Sequence, residues 1–225
     1  MIIAERKPLE EIAAMVAPYK RVLVLGCNSC VAVCMAGGQK EAEETAALLR
    51  IHRQKENIDG VVDVFSIERQ CEFEMIDEVL DELKKYDAIL SLACGVGVQV
   101  LIERDPSLRV FPGLNTTSMG YPAEQGEWVE RCVGCGNCVL HKTMGICPIT
   151  RCAKSILNGP CGGSADGKCE LGKDVDCAWH LIIERLTEYG RLSDLDEIEP
   201  PKDWSTSHHG GARTTVREDV KIDRS

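Results

Sequence analysis

Thirteen cysteines constrain this chain more than any other feature, and their placement matters more than their number. Five precede residue 100: Cys27, Cys30, Cys34, Cys71 and Cys94. Eight lie between 132 and 177, namely Cys132, Cys135, Cys138, Cys147, Cys152, Cys161, Cys169 and Cys177, and none follows. An odd total cannot pair completely into disulfides. The charged run Glu5-Arg6-Lys7 follows a very short apolar start, which leaves no signal-peptide core. The expectation is a cytoplasmic protein with reduced thiols. A net charge of −10 disfavours nucleic acid and anionic membrane surfaces as partners. No apolar run approaches the roughly 20 residues of a membrane span. Metal or redox chemistry on thiolates is the class left standing.

The first cysteine set is threaded through an alternating pattern. Helices are expected at 8–19, 39–53, 74–85 and 97–104, and strands at 21–25, 61–67, 87–92 and 109–111. Because aromatics make up only 4% of the chain, Val, Ile, Leu and Ala must build the core. Strand–helix alternation predicts an α/β unit, a parallel sheet with flanking helices of Rossmann or flavodoxin-like type. In such a sheet Cys27, Cys71 and Cys94 each follow a strand, so they converge on the carboxyl edge, where open α/β folds bind ligands. The turn Gly26-Cys-Asn-Ser-Cys30 lacks the G-x-G-x-x-G spacing, which excludes dinucleotide binding there. Cys27, Cys30 and Cys34 are metal candidates, with Cys94 or Cys71 as the fourth ligand. Cysteine is also a common buried hydrophobe, and Cys71 or Cys94 alone would suit a core.

The second set carries a sharper signal. Cys132-x₂-Cys135-x₂-Cys138 is the tight triple that holds three corners of an iron–sulfur cube, and Gly134 and Gly136 let the backbone wrap it. Zinc sites pair cysteines two by two. Cys147-Pro148 comes after eight intervening residues rather than the three of bacterial ferredoxins, and Cys152, Cys161, Cys169 and Cys177 follow. Eight thiols suit two four-ligand sites, or one cluster plus a zinc. This predicts a small cysteine-rich, helix- and loop-rich iron–sulfur domain closed by an amphipathic helix at 178–189.

Several runs carry a resemblance. They include RCVGCGNC (131–138), GICPITRC (145–152), NGPCGGS (158–164) and DGKCELGKDVDCAW (166–179). Upstream come GCNSCVAVCMAGGQKE (26–41), Arg69–Glu72, Ser91–Val98 and Asn115–Thr117. Together they resemble the methylenetetrahydrofolate reductase C-terminal domain family. That resemblance implies an electron-transfer subunit of the reductase, which serves one-carbon metabolism in acetogens and related anaerobes. Ferredoxin or another donor protein would load its [4Fe-4S] clusters, at least two and up to three in number. Electrons would pass to the flavin of a separate catalytic subunit that reduces methylenetetrahydrofolate to methyltetrahydrofolate. The flavin is expected in that partner, and nothing here resembles its TIM barrel. Gly95, Gly97, Gly162 and Gly163 are candidate cofactor-binding glycines with N–H groups near sulfur, or simple turn residues. The alternative is a zinc-stabilised structural or regulatory scaffold of the flavin subunit. A small ligand of the N-terminal domain's own is a third reading.

Three segments are expected: an α/β domain at 1–125, a cysteine-rich domain at 126–199, and an extended partner-binding tail at 200–225 with Trp204 as anchor. The stretch 111–122, punctuated by Pro112, Gly113, Gly120 and Pro122, reads as loop. Arg151 and Lys154 are candidates to offset cluster charge or a solvated pair. His141 and His180 read as surface residues.

Overall fold

Alternation along one strand builds the core of the first half. In β2 (Arg21–Cys27) every residue after Arg21 is buried, as expected of a strand covered on both faces. Val22 and Val24 point into one apolar cluster, Leu23 and Leu25 into the other. In the computed structural model, the described residues are 1–208, 211–217 and 219–220. Of the expected tail, residues 209–210, 218 and 221–225 lie outside the described residues. The chain divides into two compact units, Met1–Glu130 and Arg131–Ser225.

The first unit runs β1 (Ile2–Arg6), α1 (Leu9–Val16), β2, α2 (Cys30–Val33), α3 (Gln39–Lys55), β3 (Val61–Ile67), α4 (Phe73–Asp77), α5 (Leu80–Leu83), β4 (Ala88–Leu92), α6 (Gly95–Arg104), β5 (Val110–Pro112), β6 (Leu114–Glu124) and β7 (Glu127–Cys132). Four parallel strands pair in the order β3-β2-β4-β5. Counted in chain order this is 2-1-3-4, the doubly wound order of flavodoxin-like sheets. Helices α1 and α3 bury Ile12, Val16, Ala42, Ala46 and Leu49 on one face. Ile76, Leu83 and Leu101 from α4, α5 and α6 cover the other. Each of the buried Val, Leu and Ile side chains contributes about 1.5–3 kcal/mol of burial. The fold class is thus mixed α/β with a four-stranded parallel sheet and flanking helices.

Two expectations need correction. The helix predicted over 74–85 is broken: Val79 has φ −121° and ψ 1°, and its N–H bonds Ile76 three residues back. Both halves still bury their apolar residues in one cluster, which is why a continuous period shows in the sequence. The stretch read as loop over 111–122 is mainly strand. β6 pairs antiparallel with β1 and neighbours β7 in a second, three-stranded sheet. Its proline and glycines serve other purposes than turning. A Cβ on Gly120 would sit 1.9 Å from the Val129 carbonyl, so two backbones approach closely there. The pairing along that side of β6 ends where Met1 and Gly120 exchange backbone hydrogen bonds at 3.0 Å, so Pro122 lacks an N–H where the strand is an open edge.

The second unit is sparse in regular structure. It contains α7 (Pro148–Arg151), β8 (Lys168–Cys169), β9 (Gly172–Asp176), α8 (Ala178–Glu188), and short 3₁₀ turns at Leu192–Asp196 and Trp204–Thr206. Its core gathers Ile146, Cys177, Trp179, Ile182 and Leu186, and the Trp179 indole donates to the Ile156 carbonyl at 2.9 Å. Among the described residues, no helix is long and apolar enough to cross a membrane.

One buried polar bridge ties the sheet's carboxyl edge. Gln70, fully buried, donates from Nε2 to the Leu25 carbonyl at 2.9 Å and accepts from Ser91 Oγ at 2.6 Å. Replacing it with alanine strands a buried hydroxyl, so Gln70→Ala should destabilise the unit by about 1–3 kcal/mol. Urea unfolding followed by circular dichroism should show a lower midpoint at unchanged slope.

Candidate metal centres

Parallel register brings part of the first cysteine set to one place. β2 ends at Cys27, Cys71 lies in the turn after β3, and Cys94 is the residue before α6, immediately after β4. β2 and β4 are adjacent, and the helices that follow them pack on opposite faces of the sheet. Their carboxyl ends therefore flank the switch point where doubly wound sheets bind ligands.

Electrostatics shows the proximity. Burial pushes the Cys27 thiol above its ordinary pKa; N–H groups of Gln70 and Ser29 oppose the shift, and the neighbouring thiols of Cys71 and Cys94 add to it. Cys71 is raised by burial, then by Cys94 and Glu72. The penalties at Cys27 and Cys71 suit a cation, whose binding would reverse them. Cys30 and Cys34 form a second pair, one helical turn apart along α2. Cys34 is buried in the apolar cluster, its Sγ directed at the carbonyls of Val31 (3.5 Å) and Ala4 (3.7 Å), and its pKa is raised chiefly by burial.

Glycines shape this edge by close approach. A Cβ on Gly37 would lie 1.9 Å from the Leu92 carbonyl, and the Gly37 carbonyl accepts from Cys27 N–H at 2.8 Å. Gly97 packs against Ala93 and Gln70. Gly95 donates its N–H to Thr116 Oγ1 at 2.9 Å, which brings the Asn115–Thr117 run beside Cys94.

In the second unit, Cys132 ends β7, and Gly134 and Gly136 carry the loop through φ +62° and +81°, where side chains are disfavoured. The Gly134 N–H donates to Cys132 Sγ at 3.4 Å. Cys147 precedes α7, with Pro148 as the first helical residue, and its Sγ accepts from Thr150 N–H at 3.4 Å. The remaining four thiols share a cavity. Cys152, Cys161, Cys169 and Cys177 line it with Lys154 and Glu170, while Trp179 forms its apolar wall. Lys154 forms an ion pair with Glu170, which holds that carboxyl below its usual range. Gly163 packs against the Glu170 side chain, whereas Gly162 faces open space. His180 pairs with Glu184 at 3.1 Å on the surface of α8.

Among the described residues, no three His, Cys, Asp or Glu side chains are gathered about a point that would hold a metal ion. The donors nevertheless fit thiophilic metal: thiols converge at a sheet edge, others line one cavity, and a glycine-kinked triple leads them. No signal in the sequence foretold the sharing of the cavity, because its four cysteines are spaced seven or eight residues apart.

Residues 111–205 match the family model described as methylene-tetrahydrofolate reductase C terminal. That stretch spans β5 to the Trp204–Thr206 turn, less than half of the chain, and is related to the reductase family. No curated protein and no solved structure matches.

The two thiol groupings at the sheet edge make separable predictions. Titration of the reduced, metal-free protein with cobalt(II) should give sulfur-to-metal charge-transfer bands. Cys71→Ala should remove part of that intensity, and Cys34→Ala should leave it unchanged. Equal loss in both variants would count against the grouping.

Proposed function

We propose that this chain is an iron–sulfur electron-transfer subunit of a methylenetetrahydrofolate reductase, of the kind called MetV. The observation that carries the reading is the Cys132–Cys138 triple, glycine-kinked as a cluster loop requires and lying within the stretch that matches the reductase family model. In the first unit Cys27, Cys71 and Cys94 would hold one cluster, with Cys30, the first residue of α2, as fourth ligand. In the second, Cys132, Cys135, Cys138 and Cys147 would hold another. Cys152, Cys161, Cys169 and Cys177 form a third four-thiol set. When bound, four-iron clusters supply one-electron redox chemistry.

The chain's own residues have a narrower task. The sheet edge fixes Cys27 and Cys94 on rigid strand ends, and Gln70 locks the turn that carries Cys71. Trp179 and the core of the second unit exclude water from the Cys177 side of the cavity. Ferredoxin or another donor protein would supply electrons singly. The acceptor would be the flavin of a separate catalytic subunit, MetF, which delivers two electrons and a proton to methylenetetrahydrofolate as a hydride equivalent.

A second reading has its own support. The cavity set pairs four thiols with an apolar core, the setting of a closed structural zinc site. Zinc there is compatible with clusters elsewhere; zinc throughout would make the chain a scaffold of the flavin subunit.

Anaerobic purification decides between them. The relay reading expects iron and acid-labile sulfide, a broad visible absorption that bleaches on reduction, and an electron paramagnetic resonance signal from the reduced protein. A colourless protein with zinc and no sulfide would overturn it. Metal removal should also act unevenly. The second unit should lose its Trp179 fluorescence signature on chelation, because its core is small. The sheet unit, with apolar clusters on both faces, should keep its circular dichroism.

A further inference from the structure

The segment after Glu199 is anchored at two points on cysteine-bearing loops of its own unit. Upstream, the Asn158 side chain brackets Glu199: Nδ2 donates to its carbonyl at 2.9 Å, and Oδ1 accepts its N–H at 2.8 Å. The Glu199 carboxylate also pairs with Lys142. Downstream, Thr206 Oγ1 donates to the Cys135 carbonyl at 2.9 Å. The Thr206 carbonyl itself lies 2.0 Å from where a Cβ on Gly136 would stand, so the two backbones touch. The 3₁₀ turn that presents Thr206 is capped by the Asp203 carboxylate, which accepts from Ser205 N–H at 2.9 Å, and Ser207 is only 2% exposed.

Between these anchors in the chain sits a cation that lacks a hydrogen-bond partner among the described residues. The Lys202 Nζ is buried, makes no hydrogen bond and lies 5.4 Å from the centre of the Trp204 ring. Its company is that ring and the neighbouring Asp203 carboxyl, which it helps, after the Ser205 hydrogen bonds, to hold below its usual range; withdrawing an ammonium from water still carries a cost. Thiolates gathered on a metal group are anionic, and such a charge would offset that cost. The loop beneath shows matching asymmetry: Cys135 is partly covered, while Cys132 and Cys138 are exposed.

We propose that residues 199–207 form a strap that closes over the Cys135 corner of the C-x₂-C-x₂-C loop and shields the group held there from water and oxidant. The proposal rests on reading that loop as a metal site, yet it makes a separate claim about the chain itself. Two backbone hydrogen bonds from one asparagine fix the upstream end, and one threonine hydroxyl fixes the downstream end. Gly136 is demanded twice, by its positive φ and by the strap's carbonyl.

The experiment uses the full chain with Asn158→Ala and, separately, Thr206→Val, which keeps shape and loses the donor. Reduced, metal-free protein is pulsed with iodoacetamide, and each cysteine's labelling is read by peptide mass spectrometry. Both variants should label Cys135 several-fold faster than the parent, with Cys132, Cys138 and Cys71 unchanged as internal controls. In metal-loaded protein, the same variants should lose visible absorption several-fold faster in air. Unchanged labelling of Cys135 in both variants would overturn the strap. Uniformly faster labelling of all four cysteines would overturn it too, since that reports general unfolding. If the parent takes up no iron, the metal reading fails, while the labelling result still decides the strap.

Discussion

Convergence of Cys27, Cys71 and Cys94 on the carboxyl end of a parallel sheet is the constraint on which the first unit turns. Cys27 is placed by strand pairing on both sides of β2, because Gly26 is in register with Ser66 of β3 and Leu92 of β4. The hydrogen bonds that make the sheet therefore also set the site. Burial raises the Cys27 and Cys71 thiols above their ordinary pKa and the neighbouring thiols add to it, a penalty that a bound thiophilic cation would reverse. Gln70 matters because it closes the one gap in this scheme: the turn after β3 carries Cys71 and has no strand to hold it. Its two hydrogen bonds convert a loop position into one fixed against β2 and β4.

The second unit solves the same problem with the opposite economy. It has few strands, short helices and a core built around a single tryptophan. Small cores of this kind usually need a staple. Here the cysteines that would supply it are themselves part of the core: Cys177 is buried in it and Cys152 packs against it. Under the proposed function, folding and metal binding would be one problem in the second unit and two in the first.

How much of this was legible in the sequence depends on whether the signal is local. The parallel strands and helices α1, α3 and α6 were readable because each has its own apolar period, and the carboxyl-edge placement of Cys27, Cys71 and Cys94 follows from that order alone. The antiparallel sheet was not, because β6 is half exposed and its Pro112-Gly113, Gly120 and Pro122 neighbourhood mimics turn chemistry. Gly120 answers to the Val129 carbonyl across the sheet, which no local pattern shows. Val79 hid a helix break inside an unbroken apolar period, since both half-helices face one cluster. The sharing of one cavity by Cys152, Cys161, Cys169 and Cys177 was equally invisible, because their spacing matches no ligand motif and the cavity is made by tertiary folding. The contact of Thr206 with Cys135 joins residues 71 positions apart, through a segment without hydrophobic periodicity.

An electron relay asks less of a protein than a hydrolase does, and asks it differently. No substrate bond breaks on the relay, so nothing need be poised to move; the ligands must stay still while one charge arrives and leaves. Rigid strand ends meet that demand in the first unit. In the second, where backbone regularity is scarce, stillness would have to come from elsewhere: from positive-φ glycines such as Gly134 and Gly136, and from contacts such as that of Thr206 with the Cys135 carbonyl. The two units would then hold their thiols by different physical means, hydrogen-bonded register in one and loop geometry in the other. Gly37 of the first unit answers to steric approach, Gly134 of the cysteine loop to dihedral angle, and Gly136 to both.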